Sequence, residues 1–118
     1  KIDRWKKICK EASEQSFRSD IPEISSILTL QDLVDLNYDL KLLCSLNKNT
    51  KNIKKILEKN NKCVKILLVV GPEGGFDPLE EEYLLKNGFK SVSLGDNVLR
   101  AETAPVVALS MINYEFMR

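Results

Sequence analysis

The spacing of apolar residues at the start of this 118-residue chain is helical. Trp5, Ile8, Cys9 and Ala12 fall at i, i+3, i+4 and i+7, which predicts an amphipathic helix that runs to about Ser16. Because the pattern is already helical at the first residue, we expect a further portion of the protein upstream of it.

The pattern then passes through a short helix into a strand. Thr29, followed three residues later by Asp32, predicts a capped helix that ends at about Leu36. An apolar residue at every second position comes next, and this spacing is typical of a strand. The apolar members of this predicted strand are Leu40, Leu42, Cys44 and Leu46.

A second helix–strand pair follows a polar loop. The helix is predicted to run from about Thr50 to Asn60. Its expected inner face consists of Ile53, Ile56 and Leu57. The following run, Val64 to Val70, is nearly all aliphatic. A strand that is apolar on both sides is covered on both sides, which predicts a central strand of a parallel sheet.

The chain between residues 77 and 88 carries start and stop signals for a helix. Asp77 is suited to cap it, with Pro78 at the first helical position and Glu80 at the capping-box position. The pair Asn87–Gly88 provides the expected left-handed stop. Residues 91–94 then form a predicted strand, and Thr103 is expected to cap a final helix.

Strands that alternate with helices predict an α/β fold, with a mostly parallel sheet flanked by helices. The length suits one domain, residues 1–118. The final helix is apolar on most of its faces until its end. Such a helix is buried by its own domain, by a second subunit, or by both, and in so short a chain a dimer is a natural way to cover it.

The charge of the chain is balanced in total but not along its length. Eighteen Lys and Arg against 17 Asp and Glu give a net charge of +1. The segment Lys48 to Lys65 holds seven lysines against one acid, Glu58. Glu80, Glu81 and Glu82 form an acidic cluster. A lysine-rich helix face is either solvated surface or a contact for nucleic acid.

Cysteine and histidine usage limits the chemistry. The three cysteines form no CxxC pair and suit a reducing compartment, so we expect a cytoplasmic protein. The chain has no histidine, which excludes Ser-His and Cys-His nucleophile pairs and histidine metal sites, and we expect no metal. The most apolar helix candidate is too short to span a bilayer, so no membrane partner is expected.

Two loops could carry chemistry. Gly71, Gly74 and Gly75 follow the aliphatic strand, where they either make a tight turn or let a ligand lie against main-chain amides. Neither a P-loop nor a GxGxxG motif is present. In the second loop, Arg100 and Glu102 stand at the entry to the last helix, where they form either a structural ion pair or part of a site.

The sequence GPEGGF at residues 71–76, followed by SLGDNVLRAETAP at residues 93–105, resembles the motifs of the SPOUT-class RNA methyltransferases. Within that class it is similar to the RsmE-type enzymes, which methylate a uridine at its third ring nitrogen in small-subunit ribosomal RNA. RWKKICKEASEQSFR at residues 4–18 is similar to a further family segment. The likeness therefore covers most of the chain.

The resemblance implies a deep trefoil knot near the C-terminus and S-adenosylmethionine held by the main chain of three loops. Carried over to this sequence, the cofactor-binding residues are Cys44, Ser45, Leu46, Gly71, Pro72, Glu73, Gly74, Gly75, Leu94, Gly95, Asn97, Val98, Leu99 and Thr103. The family works as a homodimer through its final helix. Its N-terminal β-barrel RNA-binding domain and the opening part of its methyltransferase domain have no counterpart here.

A uracil ring nitrogen attacks well only after losing its proton, so a positive neighbour is needed, and Arg100 is the first choice. Glu73 or Glu102 could assist as a base or only orient the loops. Glu14, Gln15 and Arg18 match a family motif for contact with RNA or the partner subunit; alternatively, the arginine only satisfies helix carbonyls. Two other functions stay open: a SPOUT enzyme with another RNA target, and a non-catalytic RNA-binding or dimerisation module.

Overall fold

A computed structural model of the chain describes residues 3, 4, 7, 23–45, 50–63, 65–72, 74–95, 99 and 102–116. Within them, a four-stranded parallel sheet has the strand order β2-β4-β1-β3. The elements are α1 (Leu30–Asp35), β1 (Leu40–Cys44), β2 (Lys51–Asn52), α2 (Ile53–Lys59), β3 (Ile66–Val70), α3 (Pro78–Lys86), β4 (Lys90–Ser93) and α4 (Ala104–Phe116). The predicted α/β class with a parallel, helix-flanked sheet is confirmed.

Helices cover both faces of the sheet. On one face, α2 and α4 pack together over Leu42 and Val92, and Ile112 of α4 reaches this cluster. On the other face, α3 and α1 cover Leu43, with Leu84 of α3 fully buried. Leu42 and Leu43 are adjacent in β1 and both have no exposed surface. The two apolar layers therefore meet at β1.

The inner strands of the described sheet are β1 and β4, whereas the sequence favours the aliphatic run of β3 for a central position. In the described sheet, β3 pairs with β1 and lies at one edge, which differs from the predicted central position. Its predicted cover on both faces is confirmed, since Ile66 and Leu68 pack on one apolar layer and Leu67 and Val69 on the other. A lysine is unusual in a strand that is covered on both faces, so Lys41 makes the inner position of β1 hard to predict from the sequence. Its ammonium donates to the Val34 carbonyl at 2.7 Å and lies 5.6 Å from the centre of the Phe89 ring. These contacts let a lysine occupy a covered strand.

The start of the helix that was predicted from about Thr50 is also different. Lys51–Asn52 forms a short strand beside β4, and α2 begins at Ile53 instead of Thr50. The Asn52 side chain accepts from the Lys54 amide at 2.8 Å and so caps α2. The predicted inner face is correct, since its three apolar residues are all buried: Ile53, Ile56 and Leu57.

The predicted helix boundaries at α1 and α3 are confirmed. Thr29 and Asp32 form a capping box at α1, and Asp77 and Glu80 form another at α3, where the Leu79 amide donates to Asp77 at 2.8 Å. After α3, Gly88 has φ 95°, which is the left-handed conformation expected at a helix stop. The predicted first helix lies almost entirely outside the described residues, although positions 3, 4 and 7 are helical.

The final helix, α4, is only partly covered by its own chain. Ala104 and Ala108 are buried, whereas Val106, Leu109 and Tyr114 are 64%, 51% and 77% exposed. The Thr103 carbonyl accepts from the Val107 amide at 3.1 Å in the first turn. α4 therefore keeps an apolar outer face. No helix in the described part of the chain combines the length and apolarity needed to cross a bilayer.

Candidate functional site

Three loops begin at the carboxyl edge of the sheet. Cys44, at the end of β1, lies opposite both Val70 of β3 and Val92 of β4. The Ser45 amide donates to the Val92 carbonyl at 3.1 Å. Since the strands are parallel, the loops that follow β1, β3 and β4 start side by side. This edge is where open α/β sheets bind small ligands.

The loop after β1 is tied to a helix. Ser45 donates from its hydroxyl to Oε1 of Glu81 at 2.5 Å, which joins the end of β1 to α3. The predicted cofactor residue Leu46 lies outside the described residues. Glu81 was missed at the sequence level because three consecutive glutamates give no sign of which one faces the sheet. Of the three, only Glu81 is half-buried, while Glu80 and Glu82 are exposed.

The loop after β3 makes a tight, glycine-rich turn. The Gly75 amide donates to the Pro72 carbonyl at 2.8 Å. Gly74 has φ 83° at the third position of this turn, a conformation that residues with a Cβ rarely adopt. Gly71 is packed closely, since a Cβ there would lie 3.0 Å from Cδ2 of Phe76. Glu73, predicted to act here, lies outside the described residues.

The loop after β4 begins with a second glycine in a left-handed conformation. Leu94 is half-buried, and Gly95 has φ 137°. The Ser93 hydroxyl donates to the Gly95 carbonyl at 2.9 Å, which fixes the start of the loop. Farther on, Leu99 is half-buried, whereas Glu102 and Thr103 are exposed.

The structure thus brings the described starts of all three predicted loops to one edge of the sheet. The remaining predicted site residues lie outside the described part of the chain: Asn97, Val98 and Arg100 of the loop after β4, and Glu14, Gln15 and Arg18 near the N-terminus. The residues that are described also include no cluster of three His, Cys, Asp or Glu side chains that could hold a metal ion.

Comparison with known protein families identifies the family of this chain. A family model described as RNA methyltransferase domain matches residues 1–113. The chain belongs to the RNA methyltransferase domain family. This confirms the resemblance inferred from the two loop motifs, since several relatives of the methyltransferase domain carry the RsmE name.

Among these relatives, ribosomal RNA small subunit methyltransferase E of Synechocystis sp. is 40% identical over 116 residues, which are 96% of this chain and 38% of that protein. The protein of the same name from Bacillus subtilis is 36% identical over 98% of this chain and 47% of its own length. The methyltransferase domain described here therefore spans less than half the length of these curated relatives.

Solved structures share the fold of this methyltransferase domain. A methyltransferase from Legionella pneumophila, in complex with bound S-adenosylmethionine, has a TM-score of 0.86 at 32% identity and matches 96% of this chain and 46% of that one. Ribosomal RNA small subunit methyltransferase E from Neisseria gonorrhoeae, also bound to S-adenosylmethionine, has a TM-score of 0.84 at 32% identity and matches 96% and 47%.

Cys44 is the one titratable group of the described loop starts whose pKa is displaced. Burial disfavours the thiolate and raises the pKa of Cys44 from 9.0 to about 11. The thiol at this edge of the methyltransferase domain is therefore kept protonated at neutral pH. A protonated thiol is a poor nucleophile, so Cys44 is protected from alkylation.

Alkylation by iodoacetamide at pH 8 is expected to be roughly 100-fold slower at Cys44 in the native than in the unfolded protein, because the folded thiolate fraction is that much smaller. The measurement uses the Cys9→Ser/Cys63→Ser variant, so that Cys44 is the only thiol within these 118 residues, and mass spectrometry of the peptide that contains Cys44 is the readout. Because the pKa is raised in the folded state, the associated stability is complete below pH 9 and is lost as the pH rises towards 11. Equal rates of Cys44 alkylation in the native and the unfolded protein at pH 8 would contradict the raised pKa of this thiol.

Proposed function

We propose that this chain is the cofactor-binding domain of an RsmE-type enzyme, which transfers a methyl group from S-adenosylmethionine to N3 of a uridine in small-subunit ribosomal RNA. The observation that carries the proposal is the meeting of three loop starts, at Ser45, Gly71 and Leu94, along one sheet edge. Two structural relatives hold S-adenosylmethionine, and the RsmE name of several relatives supplies the substrate class.

The residues at this edge fit a cofactor held by main chain. Gly74, Gly75 and Gly95 have positive φ and carry no side chain that would shield their amides. Leu94, which directly precedes Gly95, and Leu99, farther along the same loop, are half-buried apolar residues. We assign the wall of the cofactor site to residues 44–46, 71–75, 94–95, 97–99 and 103. The proposed C-terminal trefoil knot would bring these loops into one pocket.

The chemistry needs one proton removed and one charge stabilised. The cofactor supplies an electrophilic methyl carbon. The uracil N3–H gives its proton to a carboxylate, with Glu73 or Glu102 as the proposed base. The freed N3 lone pair forms the bond to the methyl carbon while the carbon–sulfur bond breaks and its electrons remain on sulfur. Arg100 is the proposed group that stabilises the negative charge developing on the uracil ring.

The proposed enzyme is a cytoplasmic homodimer. Its interface would be the exposed apolar face of α4, which includes Val106, Leu109 and Tyr114. Burial of such a face in a symmetric pair removes apolar surface from water on both subunits at once. Glu14, Gln15 and Arg18 are proposed to contact the RNA or the site of the partner subunit.

Deletion of the gene tests the proposed reaction. We expect one uridine of small-subunit ribosomal RNA to lose its N3-methyl group, as mapped by mass spectrometry of nuclease fragments, and to regain it when the full-length gene is restored. Loss of a methyl group from another RNA would favour a different target. An unchanged RNA methylation pattern, with RNA binding by the purified protein, would favour the non-catalytic module.

A further inference from the structure

A set of exposed lysines lies on the outer side of α2 and in the short segments directly before and after this helix. We call it the lysine face; its members are Lys51, Lys54, Lys55, Lys59 and Lys62. Within the helix, Lys54, Lys55 and Lys59 lie opposite the buried inner face. Glu58 is the one acid between residues 51 and 62. The lysine face therefore has a strong local positive charge in a chain whose net charge is only +1.

The charges of the lysine face are not used inside the described part of the chain. None of its ammonium groups forms an ion pair with a carboxylate there, in contrast to Lys86 of α3, whose Nζ lies 2.8 Å from Oε1 of Glu82. A lysine that is paired with a carboxylate of its own chain is partly neutralised and attracts an external anion less strongly. The lysine face retains its charge, which makes it available to an external anion.

The opposite face of the sheet is acidic. α3 and its cap carry Asp77, Glu80, Glu81 and Glu82 against Lys86. α2 and α3 pack on different apolar layers, over Leu42 and Leu43 respectively. The molecule is therefore polarised across the sheet. A polyanion is attracted to the α2 side and repelled from the α3 side, so the charge pattern also sets its orientation.

The lysine face starts beside the candidate cofactor site. Lys51 and Asn52 of β2 pair with Val92 and Ser93 of β4. The loop that begins with Leu94 and Gly95 follows directly. Since the strands are parallel, the N-terminal end of α2 lies at the same sheet edge as this loop. A strand of nucleic acid with one base at the candidate site can therefore place its neighbouring phosphates along α2.

We propose that the lysine face binds the phosphate backbone of the RNA substrate next to the methylated base. This inference rests on the proposed function and adds a contact surface to it. Lysines give sequence-independent phosphate contacts that position RNA without reading its bases. An anionic membrane is disfavoured as the partner because membrane-surface helices also insert apolar side chains. Ile53, Ile56 and Leu57, the large apolar side chains of α2, are all buried.

The experiment compares two charge-matched double variants of the full-length protein. Lys55→Gln/Lys59→Gln removes two charges from the lysine face, and Lys86→Gln/Lys90→Gln removes two exposed charges elsewhere. RNA affinity is measured against salt concentration with a fragment of small-subunit ribosomal RNA. For the first variant we expect roughly tenfold weaker binding at 0.1 M salt, and a slope of log K against log salt that is smaller by about 1.4 to 1.8. The second variant should bind like the wild type.

Separate readouts keep this inference distinct from the proposed reaction. Affinity for S-adenosylmethionine, measured by calorimetry, is expected to be the same in both variants and in the wild type. Equal RNA affinities and salt slopes for the two variants would overturn the lysine face as the contact. A wild-type protein that binds RNA through the lysine face but methylates nothing would retain the lysine face as an RNA contact and remove the proposed function.

Discussion

Replacing Arg100 by alanine is expected to lower the rate of RNA methylation by roughly 100- to 1000-fold while affinity for S-adenosylmethionine stays near that of the wild type. The expected loss follows from the proposed reaction. A uracil that has lost its N3 proton carries negative charge on N3 and on its two carbonyl oxygens. A fixed guanidinium stabilises that charge most in the transition state, so its removal lowers the rate more than the affinity.

Two controls isolate the charge of Arg100. Arg100→Lys keeps a positive group without the planar fork of donors, and an intermediate rate is expected. Arg4→Ala removes an arginine from an exposed helical position and should leave the rate unchanged. Single-turnover rates at saturating cofactor and RNA are the measurement. A wild-type rate for Arg100→Ala would remove this residue from the reaction, and a loss explained wholly by weaker cofactor binding would make it a binding residue.

The parts of the fold that were predictable from sequence are those with a local signal. The capping boxes at Thr29 and Asp77 depend on two residues three positions apart, and both form as expected. The stop at Gly88 depends on one residue without a Cβ, and its φ of 95° has the expected sign. The inner face of α2 follows from helical periodicity alone. Such features involve neighbours in the sequence and need no knowledge of the tertiary structure.

The parts that were missed depend on contacts between distant segments. β2 has only two residues, Lys51 and Asn52, both exposed, and it exists because β4 pairs with it. The order of strands in the sheet likewise has no local signal. The inner position of β1 has no local signal either, because the two partners of the Lys41 ammonium, the Val34 carbonyl of α1 and the Phe89 ring, lie in other segments of the chain.

The candidate site was predictable as a set of loops but not as a set of contacts. Glycines that follow two of the strands mark the loops in the sequence. The parallel arrangement of the strands then predicts that the loops start at one edge of the sheet. The hydrogen bond between Ser45 and Glu81 joins residues 36 positions apart, and no spacing rule marks it. The packing of Phe76 against Gly71 is also invisible in the sequence, although it decides how much space the loop allows.

Gly71→Val is expected to weaken binding of S-adenosylmethionine by at least 100-fold, or about 2.7 kcal/mol. The φ of Gly71 is not positive, so the obstacle is steric. A Cβ would lie 3.0 Å from Cδ2, 3.1 Å from Cε2 and 3.2 Å from the backbone nitrogen of Phe76. The ring is held against the cluster of Leu43 and Leu84, so it cannot move away freely. The loop main chain must shift instead.

A graded series tests that cause. Gly71→Ala adds only the Cβ and is expected to weaken cofactor binding about tenfold, between the wild type and valine. The control is Gly88→Val, which introduces strain at φ 95° but meets no atom within 4 Å of the Cβ and lies just before the amino end of β4, at the opposite edge of the sheet. It should lower the melting temperature and leave cofactor affinity unchanged.

Calorimetric titration of the full-length protein, together with thermal unfolding of each variant, separates the two effects. If Gly71→Val lost affinity only as much as Gly88→Val does at equal loss of stability, the defect would be general unfolding. If folded Gly71→Val protein bound S-adenosylmethionine like the wild type, the loop after β3 would not be a wall of the cofactor site. The proposed function predicts neither result, because it requires the main chain of the glycine-rich loop at residues 71–75 to lie against the cofactor.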